Sequence, residues 1–98
     1  MNTKGNDISM YYGDFGVDLP ITITNTESTD KIKFNIYNSM DKLIKSKTLP
    51  YENETWLLSF TQEESKEIEK GTYLYEIVQY RDGILQNTIN KGSLFTVE

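Results

Sequence analysis

The residue types that carry most protein chemistry are scarce in this chain. Of its 98 residues, none is His and none is Cys. The commonest general base, the commonest zinc ligand and the thiolate nucleophile are therefore all missing. Seven serines remain, but a serine hydroxyl needs an adjacent base before it can attack, and no His or well-placed Lys supplies one. The carboxylates are the other candidates: Asp14 with Asp18, Glu52 with Glu54, and the group Glu63, Glu64 and Glu67. Paired acids can shuttle a proton or cleave a glycosidic bond. Here Glu52 and Glu54 fall in a turn, and Glu63 to Glu67 suit the first turn of a short helix. Asp14 and Asp18 flank a glycine turn that could offer oxygens to calcium. No D-x-D-x-D-G run exists, so they read as polar loop residues and leave cation binding open. We expect no enzyme, no cofactor and no metal site.

Aromatic residues are the better functional clue. Seven Tyr, four Phe and one Trp are more than a core of this size takes up. Tyr37 points away from the alternation Ile32, Phe34, Ile36, and Tyr80 points away from Tyr73, Tyr75, Ile77. Tyr11, Tyr12 and Tyr51 fall in loops or at strand ends. Tyr combines apolar area with a polar tip and is enriched where proteins meet. Tyr37, Tyr80, Tyr11, Tyr12 and Tyr51 are therefore the candidate partner contacts, with Tyr37 and Tyr80 first. Trp56 is expected inside, with Leu58 and Phe60.

The charge balance narrows the partners. Lys plus Arg is 10 against 15 for Asp plus Glu, a net charge of −5. Nucleic-acid binding asks for a clustered basic footprint, and only Lys42, Lys45 and Lys47 come close to one. We expect no nucleic-acid partner. No stretch approaches the roughly 20 apolar residues of a membrane helix, so no membrane partner is expected. Residues Met1 to Met10 are polar and lack the apolar core of a secretory signal, which predicts a chain that stays in the cytoplasm or leaves it within an assembly or by lysis.

The elements that must position these residues read as strands. The length suits one domain over residues 1–98. Ala is absent, while Ile, Thr and Tyr are plentiful, which favours strand over helix. The dominant period is two. Val17 to Ile23 alternates, as does Ile32 to Tyr37. Leu43 to Leu49 carries lysines, as a sheet edge often does, and Pro50 ends it. Glu54 to Phe60 alternates again. Thr61 can cap one or two helical turns within residues 61–69, with Glu64 completing a capping box and Gly71 as the C-cap. Thr72 to Arg81 is apolar on both faces and reads as a central strand. Asp82-Gly83 fits a two-residue type I′ turn into Ile84 to Asn90. Gly92 marks a bulge before Leu94 to Val97. Ile8, Met10, Tyr11, Tyr12 and Phe15 add a first strand, with Gly13 and Gly16 at its turn. About seven strands at this spacing predict an all-β antiparallel sandwich.

Glu69-x-Gly71-x-Tyr73-x-Tyr75 resembles the tyrosine corner of immunoglobulin-like sandwiches, where the Tyr hydroxyl bonds back to the preceding turn. Tyr75 stands where such domains often hold a Cys, and Phe34 stands for their core Trp. The wider pattern includes Leu58-Ser59-Phe60-Thr61-Gln62-Glu63-Glu64 and Gly71-Thr72-Tyr73-Leu74-Tyr75-Glu76-Ile77, then Asp82-Gly83 and Gly92-Ser93-Leu94-Phe95-Thr96-Val97. Together these resemble the small immunoglobulin-like modules of tailed bacteriophage and prophage virion proteins, such as the N-terminal module of baseplate upper proteins. The resemblance is best over residues 54–98 and vague before residue 17, and the chain stops at Glu98 without the long extension of a baseplate protein. It implies a non-enzymatic structural or assembly protein that touches other virion proteins or itself, located in the bacterial cytoplasm before assembly and then in the virion. The alternative is a carbohydrate- or surface-binding sandwich that stacks Trp56 or exposed Tyr rings on sugars.

Overall fold

The computed structural model describes residues 1–14 and 18–98. The strand start expected at Val17, the first-strand position of Phe15 and the turn position of Gly16 lie outside the described residues. Nine strands and one helix are present among the described residues. They are β1 (Asn2–Lys4), β2 (Asp7–Met10), β3 (Leu19–Ile21), β4 (Lys31–Tyr37), β5 (Leu43–Leu49), β6 (Tyr51–Glu52), β7 (Thr55–Leu58), α1 (Gln62–Lys66), β8 (Gly71–Arg81) and β9 (Ile84–Val97). Two sheets result, a six-stranded one in the order β1-β2-β9-β8-β4-β5 and a three-stranded one in the order β3-β7-β6. The pairs are antiparallel except β2 with β9, which is parallel. The fold is all-β.

Strand alternation sets the core. Ile32, Phe34 and Ile36 of β4 face Gln79, Ile77 and Tyr75 of β8 across the ladder. They meet Trp56 and Leu58 of β7 and Phe95 and Val97 of β9 in one buried cluster. Phe34 stacks on Tyr75 with ring centroids 4.8 Å apart and meets Phe95 edge-on at 5.7 Å. Trp56, Leu58 and Phe60 are all buried, as the alternation predicts.

The local signals hold up. Thr61 caps α1 through Glu64 N–H, and the Glu64 carboxylate takes the Thr61 N–H at 3.0 Å, closing the capping box. Asp82 and Gly83 have φ of 53° and 77°, as a type I′ turn requires. The Tyr73 hydroxyl donates to the Glu69 carbonyl at 2.7 Å.

Three expectations need correction. The strand count rises from about seven to nine because the polar start folds into the β1–β2 hairpin and Tyr51–Glu52 pairs with β7. Neither short piece has the apolar alternation that marks a strand in sequence. The α1 C-cap is Glu67, not Gly71, because Ile68 leaves the helix to fill the core. Tyr11 and Tyr12, expected within a strand with Ile8 and Met10, fall beyond β2, which ends at Met10.

The end of the molecule that holds the β3–β4 turn is fixed by charge. Asp30 accepts from Glu27 N–H, from Gln79 Nε2 and from Arg81 Nε, each at 2.9 Å. Arg81, the chain's single Arg, also reaches the Asn25 carbonyl at 3.2 Å. The Arg81 guanidinium, followed by the Glu27 amide, holds the Asp30 carboxyl far below the usual carboxylate range. This network pins the turn to the last residues of β8.

Candidate interaction surface

The outer face of the six-stranded sheet is built by the register. On β8, Leu74, Glu76, Val78 and Tyr80 alternate with the inward Tyr73, Tyr75, Ile77 and Gln79. Pairing carries Leu74 to Tyr37 on one side and to Leu94 on the other. Tyr37 pairs in turn with Leu43. The result is a row of four apolar residues across four strands: Leu43, Tyr37, Leu74 and Leu94. Leu43 is 49 % exposed and Leu94 41 %, while Tyr37 and Leu74 are half-buried between them.

The next row is polar. Ser46 donates to the Asn35 side chain at 2.6 Å, and Asn35 pairs with Glu76. Partial burial, and then the charge of Glu76, push the Tyr37 phenol above its ordinary value. The Tyr37 ring thus stays neutral and keeps a polar tip beside an apolar strip.

Beyond that row lie Lys33, Val78 and Thr88, then Lys31, Tyr80 and Leu85. Val78 is buried although it faces outward. The Lys33 ammonium sits 5.6 Å from the centre of the Tyr80 ring, a cation–π contact that flanks Val78.

Tyr37 and Tyr80 therefore share a face but not a patch. Six residues of β8 separate Tyr80 from Leu74, the partner of Tyr37, which is about 20 Å of strand. Tyr11 and Tyr12 are exposed past the end of β2, where Tyr12 N–H donates to the Glu98 carbonyl at 2.8 Å. Tyr51 lies on the edge of the smaller sheet with its ring 4.7 Å from that of Trp56. The five tyrosines thus occupy four places. Leu43, Leu74 and Leu94, which complete the row with Tyr37, are not among the residues that composition singles out. Leu74 is legible as outward-facing, but only the register brings it beside Leu43 and Leu94.

The candidate acids are dispersed. Asp14 accepts from Tyr11 N–H at 3.3 Å, Glu52 and Glu54 sit at the β6–β7 turn, and Glu64 and Glu67 face Lys45 and Lys47. Among the described residues no group of three or more acids is placed to hold a metal ion. Among the described residues no helix is long and apolar enough to cross a membrane. No family model, curated protein or solved structure matches the chain.

Proposed function

We propose that this chain is an immunoglobulin-like module that acts by protein–protein contact, as a structural or assembly component of a tailed-phage or prophage virion. Support for the immunoglobulin-like part comes from the sheet order, with β9, β8, β4 and β5 opposite β3, β7 and β6. The bond from Tyr73 to the Glu69 carbonyl adds to it, since that is how a tyrosine corner is tied. The virion part rests on the motif resemblance over residues 54–98.

The observation that carries the contact reading is the row Leu43, Tyr37, Leu74 and Leu94. Apolar side chains in a line across four strands, exposed at both ends and with a Tyr among them, match the make-up of an interface centre. The carbohydrate alternative draws nothing from Trp56. Its indole is 2 % exposed and donates to Thr26 Oγ1 at 3.4 Å, so no flat ring is offered to a sugar.

The test is incorporation into particles. After prophage induction in cells that carry the gene, banded virions are assayed for this chain by mass spectrometry. The wild type should band with the particles. A Leu43→Ser, Leu94→Ser variant with unchanged melting should remain in the free-protein fraction. A wild-type chain absent from particles sinks the virion reading. A variant that bands like the wild type sinks the row as the contact.

A further inference from the structure

The charges of the chain are sorted between its two sheets. Residues 5–30 hold five acids and no base, and residues 48–65 hold four acids and no base. The whole smaller sheet, β3, β6 and β7, lies within these two runs. Residues 31–47 hold five Lys and one Asp. β4 lies in that run and β5 lies in it but for its last two residues, and neither strand carries an acid.

Register decides which of these charges are free to meet a partner. Lys45 and Lys47 turn inward to Glu64 and Glu67. Lys31 and Lys33 alternate with the buried Ile32, Phe34 and Ile36, so they face outward with Asn35 and Tyr37. Among the described residues neither pairs with an acid. Their neighbours on β5 are neutral, Thr48 beside Lys33 and Ser46 beside Asn35. Glu76 of β8, opposite Asn35, is the one acid on the outer face of β4, β5 and β8. On the smaller sheet, Trp56 and Leu58 are buried, which turns Thr55 and Leu57 outward. Pairing places Glu52 beside Thr55 and Pro20 beside Leu57. Glu54 is exposed at the turn between β6 and β7.

Both outer faces thus grade along their strands from charge to apolar surface. β4 runs from Lys31 and Lys33 through Asn35 to Tyr37, which meets Leu43. The smaller sheet runs from Glu52 and Glu54 through Thr55 to Leu57 and Pro20. One gradient starts in cations and the other in carboxylates.

We propose that copies of this chain associate head to tail, with the outer face of β4 and β5 of one copy lying on the outer face of the smaller sheet of the next. Lys31 and Lys33 then meet Glu52 and Glu54, and Tyr37 with Leu43 covers Leu57 and Pro20. This rests on the contact reading and names the partner at the Tyr37 end of its row. Charge complementarity selects that partner. Chains of net charge −5 repel as wholes, so a join between them needs a place where opposite signs face, and these two surfaces supply one. The surfaces differ, so the join is heterologous. It repeats from copy to copy and either closes into a ring or runs on as a filament.

The test uses the whole chain in sedimentation velocity over a concentration series. The wild type should form species larger than a dimer as concentration rises. Lys31→Glu, Lys33→Glu and Glu52→Lys, Glu54→Lys should each weaken association roughly tenfold or more, because like charges then face across the join. The second variant discriminates. It moves the net charge from −5 to −1, which would tighten any association limited by overall repulsion. A one-to-one mixture of the two variants should assemble like the wild type, since every face again meets its opposite. All four residues lie outside the core, and near-ultraviolet circular dichroism checks that each variant keeps its fold. A wild type that stays monomeric or stops at a dimer overturns the proposal. So does a Glu52→Lys, Glu54→Lys assembly as tight as the wild type, or a mixture that does not associate. A monomeric wild type that still bands with particles, while Leu43→Ser, Leu94→Ser does not, sinks the head-to-tail join and leaves the contact reading standing with a foreign partner. Self-assembly of a chain absent from particles supports the join and sinks the virion reading instead.

Discussion

On the β5 flank, Lys45 and Lys47 turn inward and tie the strand to α1; on the β9 flank, residues 84–90 carry no charge and, among the described residues, meet no strand but β8. Lys45 and Lys47 pair with Ile36 and Phe34, so both occupy core-facing positions. Lys47 lies over the Phe60 ring at 4.8 Å and reaches the Glu64 carboxylate at 2.7 Å and the Ser59 carbonyl. Lys45 meets Glu67, also at 2.7 Å. An inward charge on an edge strand makes pairing with a stranger costly, because the charge would lose its partners. The same sheet is therefore closed on one side and open on the other. An exposed edge is a hazard unless something occupies it, so the two flanks differ in how well each resists a foreign strand.

The largest effect should come from the core beneath each flank. Leu49 on β5 is 2 % exposed, whereas Ile89 on β9 is only half-buried. Leu49→Ala should cost about 2–5 kcal/mol, since the side chain is lost and a cavity remains. Ile89→Ala should cost about 1 kcal/mol in the monomer, because its surroundings are already partly open. Urea denaturation measures both. Equal losses would mean that the β9 side is as tightly packed as the β5 side.

Breaking the closure comes next. Lys47→Met keeps the stem over Phe60 but removes the nearest cation from the Glu64 carboxylate, at a cost of about 1–3 kcal/mol. The same tie sets a pH dependence. Burial alone would raise the Glu64 pKa, yet the Lys47 ammonium, the Thr61 amide and Lys45 outweigh it and hold the carboxyl at about 2. Its folded pKa lies below the unfolded value of 4.5. The stability it adds is therefore complete above that value and drains away as pH falls towards about 2. The urea midpoint of the wild type should drop more steeply over this window than that of Glu64→Gln. Parallel curves would show that the tie is not formed in solution.

Much of the closed flank is legible in sequence. Thr61-x-x-Glu64 announces the capping box, and three lysines within Lys42 to Lys47 announce an edge. What they do there is not legible, because it depends on which way the strand faces, and the extra residue at Ile44 shifts that register near Tyr37. The open flank is harder still. Residues 84–90 read as an ordinary hairpin partner, and only the short reach of β2 leaves them uncovered. The same holds for the outer row, since Leu43, Tyr37, Leu74 and Leu94 are far apart in the chain. Periodicity shows which face a residue takes, while pairing decides its neighbours.

A smaller effect is expected at the corner that anchors β8 beside the closed flank. Tyr73→Phe removes the hydroxyl that donates to the Glu69 carbonyl and should cost about 1 kcal/mol. The loss should appear as faster hydrogen exchange over residues 68–72, with the 84–90 hairpin unchanged. An equal change in the hairpin would mean that the two flanks unfold as one unit.

The smallest effect on stability belongs to the open edge, and it completes the contrast. Thr88 is exposed, and among the described residues its part of β9 pairs with β8 only. Thr88→Lys should therefore shift the monomer's unfolding free energy by no more than about 0.5 kcal/mol. On β5 the opposite holds, since its inward lysines are tied to α1. If Thr88→Lys instead destabilises the monomer as much as Lys47→Met does, the β9 flank is held by interactions within the chain and the two edges are alike.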